Sequence, residues 1–185
     1  MPIDPAVARI HAENVRADII VRPAALQIDA TIVRKIADRV KVFKGMTPDC
    51  LSSTLAMAER QPHQAGDVVF NEGDIGTSFH ILIAGEVVVE KRRNGQSVQL
   101  ARLTAGECFG EMALVSNRVR SATVRAVGAA TTMRFDRERL DAYPDSARII
   151  YRNIASILAA RLVESSELLA DLVLRSGESG LMPLG

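Results

Sequence analysis

The chain has 185 residues, of which 48% are apolar and 24% charged, and its formal net charge is +1. This is the composition of a folded globular protein rather than a disordered one, long enough to bury one core and carry an appended helical arm. The near-neutral charge gives no bulk reason to expect nucleic acid or an acidic membrane as a partner.

Cys50 and Cys108 are too few for a disulfide framework, and a reducing compartment is the simpler setting for them. No apolar run approaches the ~20 residues of a membrane span, and the N-terminus lacks the charged-then-apolar order of a signal peptide. A cytoplasmic protein is expected.

Residues 1–45 read as an N-terminal helical arm. Val7, Ile10, Val15 and Ile19 recur at helical spacing until Pro23 interrupts them. A second helix runs from about Ala25, with Ile28, Ile32, Val33, Ile36 and Val40 on one face. These stripes either pack on the following domain or form a partner-binding, dimerising arm. A cleaner helix follows, with Thr47 as its cap, Pro48 in its first turn and Asp49 at its positive end. Pro62 predicts its end after Arg60.

From Gln64 to Asp136 the apolar period changes to two. Short strands are predicted at 67–70, 79–83, 86–91, 98–103, 122–126 and 131–135, with glycine-containing turns between them. Regularly spaced short strands of this kind predict a small antiparallel roll or barrel, and so an α+β fold with flanking helices. Arg93-Asn94-Gly95-Gln96 is a hairpin tip. Lys91-Arg92-Arg93 beside it reads as a solvated edge that discourages strand pairing.

The stretch Phe109 to Thr123, FGEMALVSNRVRSAT, concentrates binding chemistry. Gly110 lets a ligand or another backbone approach closely, because it has no Cβ. Glu111 is a carboxylate acceptor at the head of a helical turn, whose free N–H groups suit an anion. Arg120 offers a planar fork of donors that matches a phosphate. Together they suit a small sugar phosphate. A Glu and an Arg nine residues apart are otherwise an ordinary surface pair, worth little.

Beyond the roll, residues 137–143 read as a short helix ended by Pro144. A long helix is predicted from about Asp145 to Leu174, with Ile150, Ile154, Ile157, Leu158, Leu162, Leu168, Leu169 and Leu172 mainly on one side. Ser176-Gly177 is its expected end. Arg161 and Ser165 break the apolar stripe. Residues 176–185 read as a flexible tail. His11, His63 and His80 lack metal spacing with either cysteine, and no Gly-x-Ser-x-Gly or phosphate-loop signature occurs, so neither a metal site nor an enzyme is expected.

Three motifs in order carry a family resemblance. Asn71-Glu72-Gly73-Asp74, Leu82 to Val87 and the 109–123 stretch resemble the two glycine signatures and the phosphate-binding cassette of the cyclic nucleotide-binding domain family. The resemblance covers about Val42 to Leu174. It implies that Glu111 accepts the ribose 2′-hydroxyl and that Gly110, Met112 and Ala113 belong to the ligand-contacting cassette. It also implies that Arg120, Ser121 and Ala122 hold the cyclic phosphate, with Val89 and Leu100 against the purine. Val119 stands where many members have Pro. Arg161-Leu162 followed by Ser165-Ser166 resembles the dimer helix of the catabolite-activator members. In those, an Arg pairs with the cassette Glu and two hydroxyls meet the adenine across the dimer, roles implied here for Arg161, Ser165 and Ser166. Those members continue into a helix-turn-helix domain, whereas eleven residues follow Leu174 here.

The expected domains are the arm (1–45), a nucleotide-binding domain with its dimerisation helix (46–175) and the tail (176–185). The expected function is a cyclic nucleotide receptor, for cAMP ahead of cGMP, without other cofactor. It is expected to dimerise through residues 146–174 and signal by shape change to an unidentified protein effector, with no nucleic acid or membrane partner. The alternative is an interaction protein whose pocket is vestigial or takes cGMP, because a hydroxyl at Ser121 serves a phosphate or a syn guanine equally.

Overall fold

The computed structural model describes residues 36, 37, 39–115 and 119–178. The apolar stripes from Val7 to Val33, and with them the partner-binding role expected of the arm, lie outside the described residues. So do Ser116, Asn117 and Arg118 of the cassette and residues 179–185 of the tail.

Helix α1 spans Pro48–Ala56. Thr47 caps it as predicted, its hydroxyl accepting from the Cys50 N–H at 3.3 Å. The helix does not run on to Arg60. Glu59–His63 is instead strand β1, paired antiparallel with the last strand of the roll from Glu59↔Arg134 to His63↔Ala130. Pro62 is compatible with a strand here because β1 is the outermost of its sheet, where only one side carries a ladder. Local sequence gave no sign of this pairing, since its partner lies about seventy residues away in the chain.

The remaining strands are β2 (Val68–Phe70), β3 (Ser78–Ala84), β4 (Glu86–Arg93), β5 (Gln96–Thr104), β6 (Cys108–Phe109), β7 (Thr123–Ala126) and β8 (Ala130–Asp136). They form two four-stranded antiparallel sheets, in the orders β1-β8-β3-β6 and β2-β7-β4-β5. This is the predicted antiparallel roll. Asn94 and Gly95, with φ of 51° and 79°, make the two-residue turn expected between β4 and β5.

Strand β3 is the hinge of the packing, because both its faces are covered. Phe79 and Ile81 face a helical layer, where Phe79 stacks on Phe135 at 4.9 Å and Phe43 meets Phe135 edge-on. On the alternate side Leu82 joins Val87, Leu103, Phe109, Val124, Ala126 and Ala130 inside the roll. Val40, Val42 and Phe43, at the end of the expected arm, are buried in the first of these cores.

Helix α2 (Met112–Val115) is described with the site below. Helix α3 spans Arg137–Asp141, and the long helix α4 spans Pro144–Glu178. Pro144 is the first residue of α4 rather than the stop of α3, a position where its missing N–H costs nothing. Ser176 and Gly177 do not end the helix as predicted; it continues to Glu178. The apolar side of α4 divides into two parts. Ile150 and Ile154 are fully buried and Ile157 and Leu158 pack on the core, whereas Leu162, Leu168, Leu169 and Leu172 are exposed.

Asn153 fastens α4 to the 3-10 turn at Lys41–Phe43, its amide donating to Val42 O at 2.9 Å and Lys44 O at 2.8 Å. Asn153→Ala should therefore cost about 2–3 kcal/mol in a urea titration, since two carbonyls lose their donor together. A loss below about 0.5 kcal/mol would show that solvent replaces both bonds.

Candidate functional site

The site begins where β6 runs into α2. Gly110 makes the turn with φ of 76°, a left-handed conformation that glycine adopts without penalty. The turn projects Glu111 inward ahead of α2, a single turn of four residues. Glu111 is 2% exposed. Its Oε1 pairs with Arg161 Nη1 from α4, and Arg161 Nη2 donates to Cys108 O at 2.9 Å. Burial raises the pKa of Glu111, opposed by the charges of Arg161 and Arg120 and by a backbone hydrogen bond. The neighbouring Cys108 thiol is pushed up to about 12 by burial and by the Glu111 charge, which leaves it unreactive.

Arg120 lies just ahead of β7 and is also enclosed, at 5% exposure. Its Nη1 donates to Ser78 O at 2.7 Å and Gly110 O at 2.8 Å, and its Nη2 to Ser78 Oγ at 3.1 Å. The guanidinium carbon lies 4.0 Å from the centre of the Phe70 ring, a cation–π contact. Below it, His80 stacks on Phe109 at 5.2 Å, and its pKa is lowered to about 3 by burial and by Arg120, Arg134 and His63. His80 is therefore neutral and adds no cation to the site.

The upstream turn fixes the Arg120 backbone. Gly73 N donates to Arg120 O and Arg120 N to Asp74 O, both at 2.9 Å, while Ile75 and Val119 form an isolated antiparallel bridge. Asp74 closes the turn by accepting from Asn71 N at 2.8 Å. Glu72 ties it further, its N–H donating to Thr123 Oγ1 and its carboxylate accepting from Arg92 N. The absence of Pro at position 119 is thus met by backbone pairing.

These elements surround an open cleft. Val89, Gly110, Glu111, Met112, Ala113, Arg120, Ser121, Ala122 and Arg161 all line it, although they come from β4, the cassette and α4. Ser121 Oγ lies 3.3 Å from Met112 Sδ at its rim. Leu100 does not line the cleft and is 58% exposed. The reason is a bulge: Val89 pairs with Ala101 and Glu90 with Gln99, which leaves Leu100 as the extra residue, turned outward. Ser165 and Ser166 are exposed on α4 outside the cleft, and the Ser166 hydroxyl donates to Leu162 O.

Four cleft residues were not singled out as ligand contacts from sequence: Phe70, Leu103, Phe109 and Val124. Strand alternation held a signal for Val124, which lies between the inward positions 122 and 126. For Leu103 the bulge hides the phase. The chemistry of the assembled cleft is asymmetric, with a carboxylate at one side, a guanidinium at another and an apolar wall between.

A family model for the cyclic nucleotide-binding domain matches residues 60–146. The cyclic AMP receptor protein of Thermus thermophilus is 32% identical over 125 residues, 67% of this chain and 58% of that protein. A cAMP-dependent protein kinase regulatory subunit of Schizosaccharomyces pombe is 38% identical over 91 residues, 49% of this chain and 21% of that one. Among solved structures, the catabolite activator protein of Thermus thermophilus superposes with a TM-score of 0.65 at 31% identity, covering 72% of this chain and 62% of that one. The chain therefore spans less than two thirds of each of these relatives.

Proposed function

Because the chain carries a cyclic nucleotide-binding domain, homologous to those of cyclic AMP receptors and kinase regulatory subunits, we propose that it is a cyclic nucleotide receptor, for cAMP ahead of cGMP. The observation that carries this reading is Glu111, a buried carboxylate at the cleft held by an Arg from the long helix. A ribose 2′-hydroxyl donates to its second oxygen. The cyclic phosphate meets Arg120 with the Ser121 hydroxyl and the Ala122 backbone, and the purine lies against Val89 and Leu103. No bond is made or broken in this scheme. Binding changes the balance of contacts at Glu111, and Arg161 passes that change to α4 as a shift between helix positions.

A second copy covers the exposed leucines of α4 in the proposed dimer, and Ser165 and Ser166 reach the adenine held by that copy. The signal then passes to a protein effector. Calorimetric titration with cAMP and with cGMP tests the receptor reading. Heat from neither would leave an interaction protein with a vestigial pocket, whereas tighter cGMP would transfer base choice to Ser121.

Assembly has its own test. Leu168→Glu together with Leu172→Glu changes only exposed positions in a single chain, so folding should be retained while charge enters the seam. Sedimentation equilibrium should find dimers for the parent at micromolar concentration and monomers for the variant. A monomeric parent counts directly against the dimer.

A further inference from the structure

Gly76 stands between two of the sequence motifs and lines no part of the cleft, yet it touches the centre of the site. A Cβ built on it would lie 2.3 Å from Arg120 Nε, 2.4 Å from Cζ and 2.9 Å from Cδ. Those separations are far inside van der Waals contact, so any side chain at 76 would occupy the place of the guanidinium. Backbone conformation does not explain the glycine, because Gly76 has no positive φ and alanine could adopt its geometry. Gly110 bounds the guanidinium elsewhere, where a Cβ would lie 2.6 Å from Nη1, and the Phe70 ring forms a third wall.

The cradle also decides which donors remain. An arginine has five N–H groups in a fixed fork. Both hydrogens of Nη1 and one of Nη2 are given to Ser78 and Gly110. The Nε–H and the second Nη2–H take no partner among the described residues, and together they form the parallel pair that matches two oxygens of one phosphate.

We propose that Gly76 is a positioning residue of the anion site, whose missing side chain admits the Arg120 guanidinium to a cradle that keeps its Nε–Nη2 fork unspent. The proposal rests on the reading of Arg120 as the phosphate anchor. Since the group a Cβ would strike is the end of a flexible side chain, Gly76→Ala displaces Arg120 rather than the fold.

The test uses the full chain, with Gly76→Ala, Arg120→Ala and the double variant. In the ligand-free parent, the Arg120 Nε–H should give a distinct, slowly exchanging NMR signal, and in Gly76→Ala that signal should move to the position of free arginine. Thermal melting should fall no further than it does in Arg120→Ala, which loses the same guanidinium contacts. Affinity for cAMP should fall about tenfold or more, and the double variant should bind no more weakly than Arg120→Ala alone. An unmoved Arg120 signal, cAMP binding within about threefold of the parent, or additive losses would overturn the proposal. A parent that binds neither cAMP nor cGMP would overturn its phosphate half together with the receptor reading. The NMR comparison, which needs no ligand, would then decide the cradle by itself.

Discussion

Arg120→Ala should weaken cAMP binding by about 2–5 kcal/mol, roughly a thirtyfold to several-thousandfold loss, measured by calorimetry. The magnitude follows from enclosure: a desolvated guanidinium meeting a phosphate is worth far more than an exposed pair of the same charges. A second effect accompanies it. Arg120 donates to Ser78 O and Gly110 O, so its loss removes that donor to Ser78 O and one of two donors to Gly110 O, where the Ala113 N–H remains at 3.3 Å. About 1–3 kcal/mol of folding stability should go with them, read by urea titration at saturating and zero ligand. Arg120→Lys should recover the charge without the fork, and so regain only part of the affinity. If Arg120→Ala binds within about threefold of the parent, Arg120 is not the phosphate anchor.

Arg161→Ala should cost about 3 kcal/mol of stability at neutral pH. It leaves the Glu111 carboxylate buried without its ion-pair partner, and removes the donor to Cys108 O. The Arg161 side chain retains 37% exposure, which places the loss at the low end of the range for buried pairs. Adding Glu111→Gln to Arg161→Ala should restore most of that loss, because the stranded group is then neutral.

The dependence on pH has a definite sign. Burial already holds the folded-state pKa of Glu111 above its unfolded value, and removing Arg161 takes away the largest opposing charge and raises it further. A raised folded pKa stabilises fully below the unfolded value, and that contribution is lost as pH rises through the folded value. The stability gap between parent and Arg161→Ala should therefore be small near about pH 4 and widen toward about pH 8. A gap that stays constant across that window would assign the loss to packing of the Arg161 stem rather than to the Glu111 charge.

What the sequence determined by itself had short-range causes. The Thr47 cap, the Asn94-Gly95 turn, the alternation of Phe79 and Ile81 against Leu82, and the order of the glycine signatures are set by a few neighbouring residues, and so were legible. The grouping of Glu111, Arg120 and Arg161 was expected through family resemblance, not from spacing. Tertiary structure alone decided the rest. Glu59–His63 follows a helix directly and contains a proline, yet it is a strand, because β8 offers it a free edge. Leu100 has the apolar character of a wall residue but turns outward, because one extra residue in β5 reverses the phase of its side chains. The helix passes through Gly177 because a local stop signal is only a weak bias on a long helix. Gly76 carries no signal at all in the chain. Its meaning lies in the guanidinium that occupies its missing side chain, a contact between residues forty-four positions apart that only packing brings together.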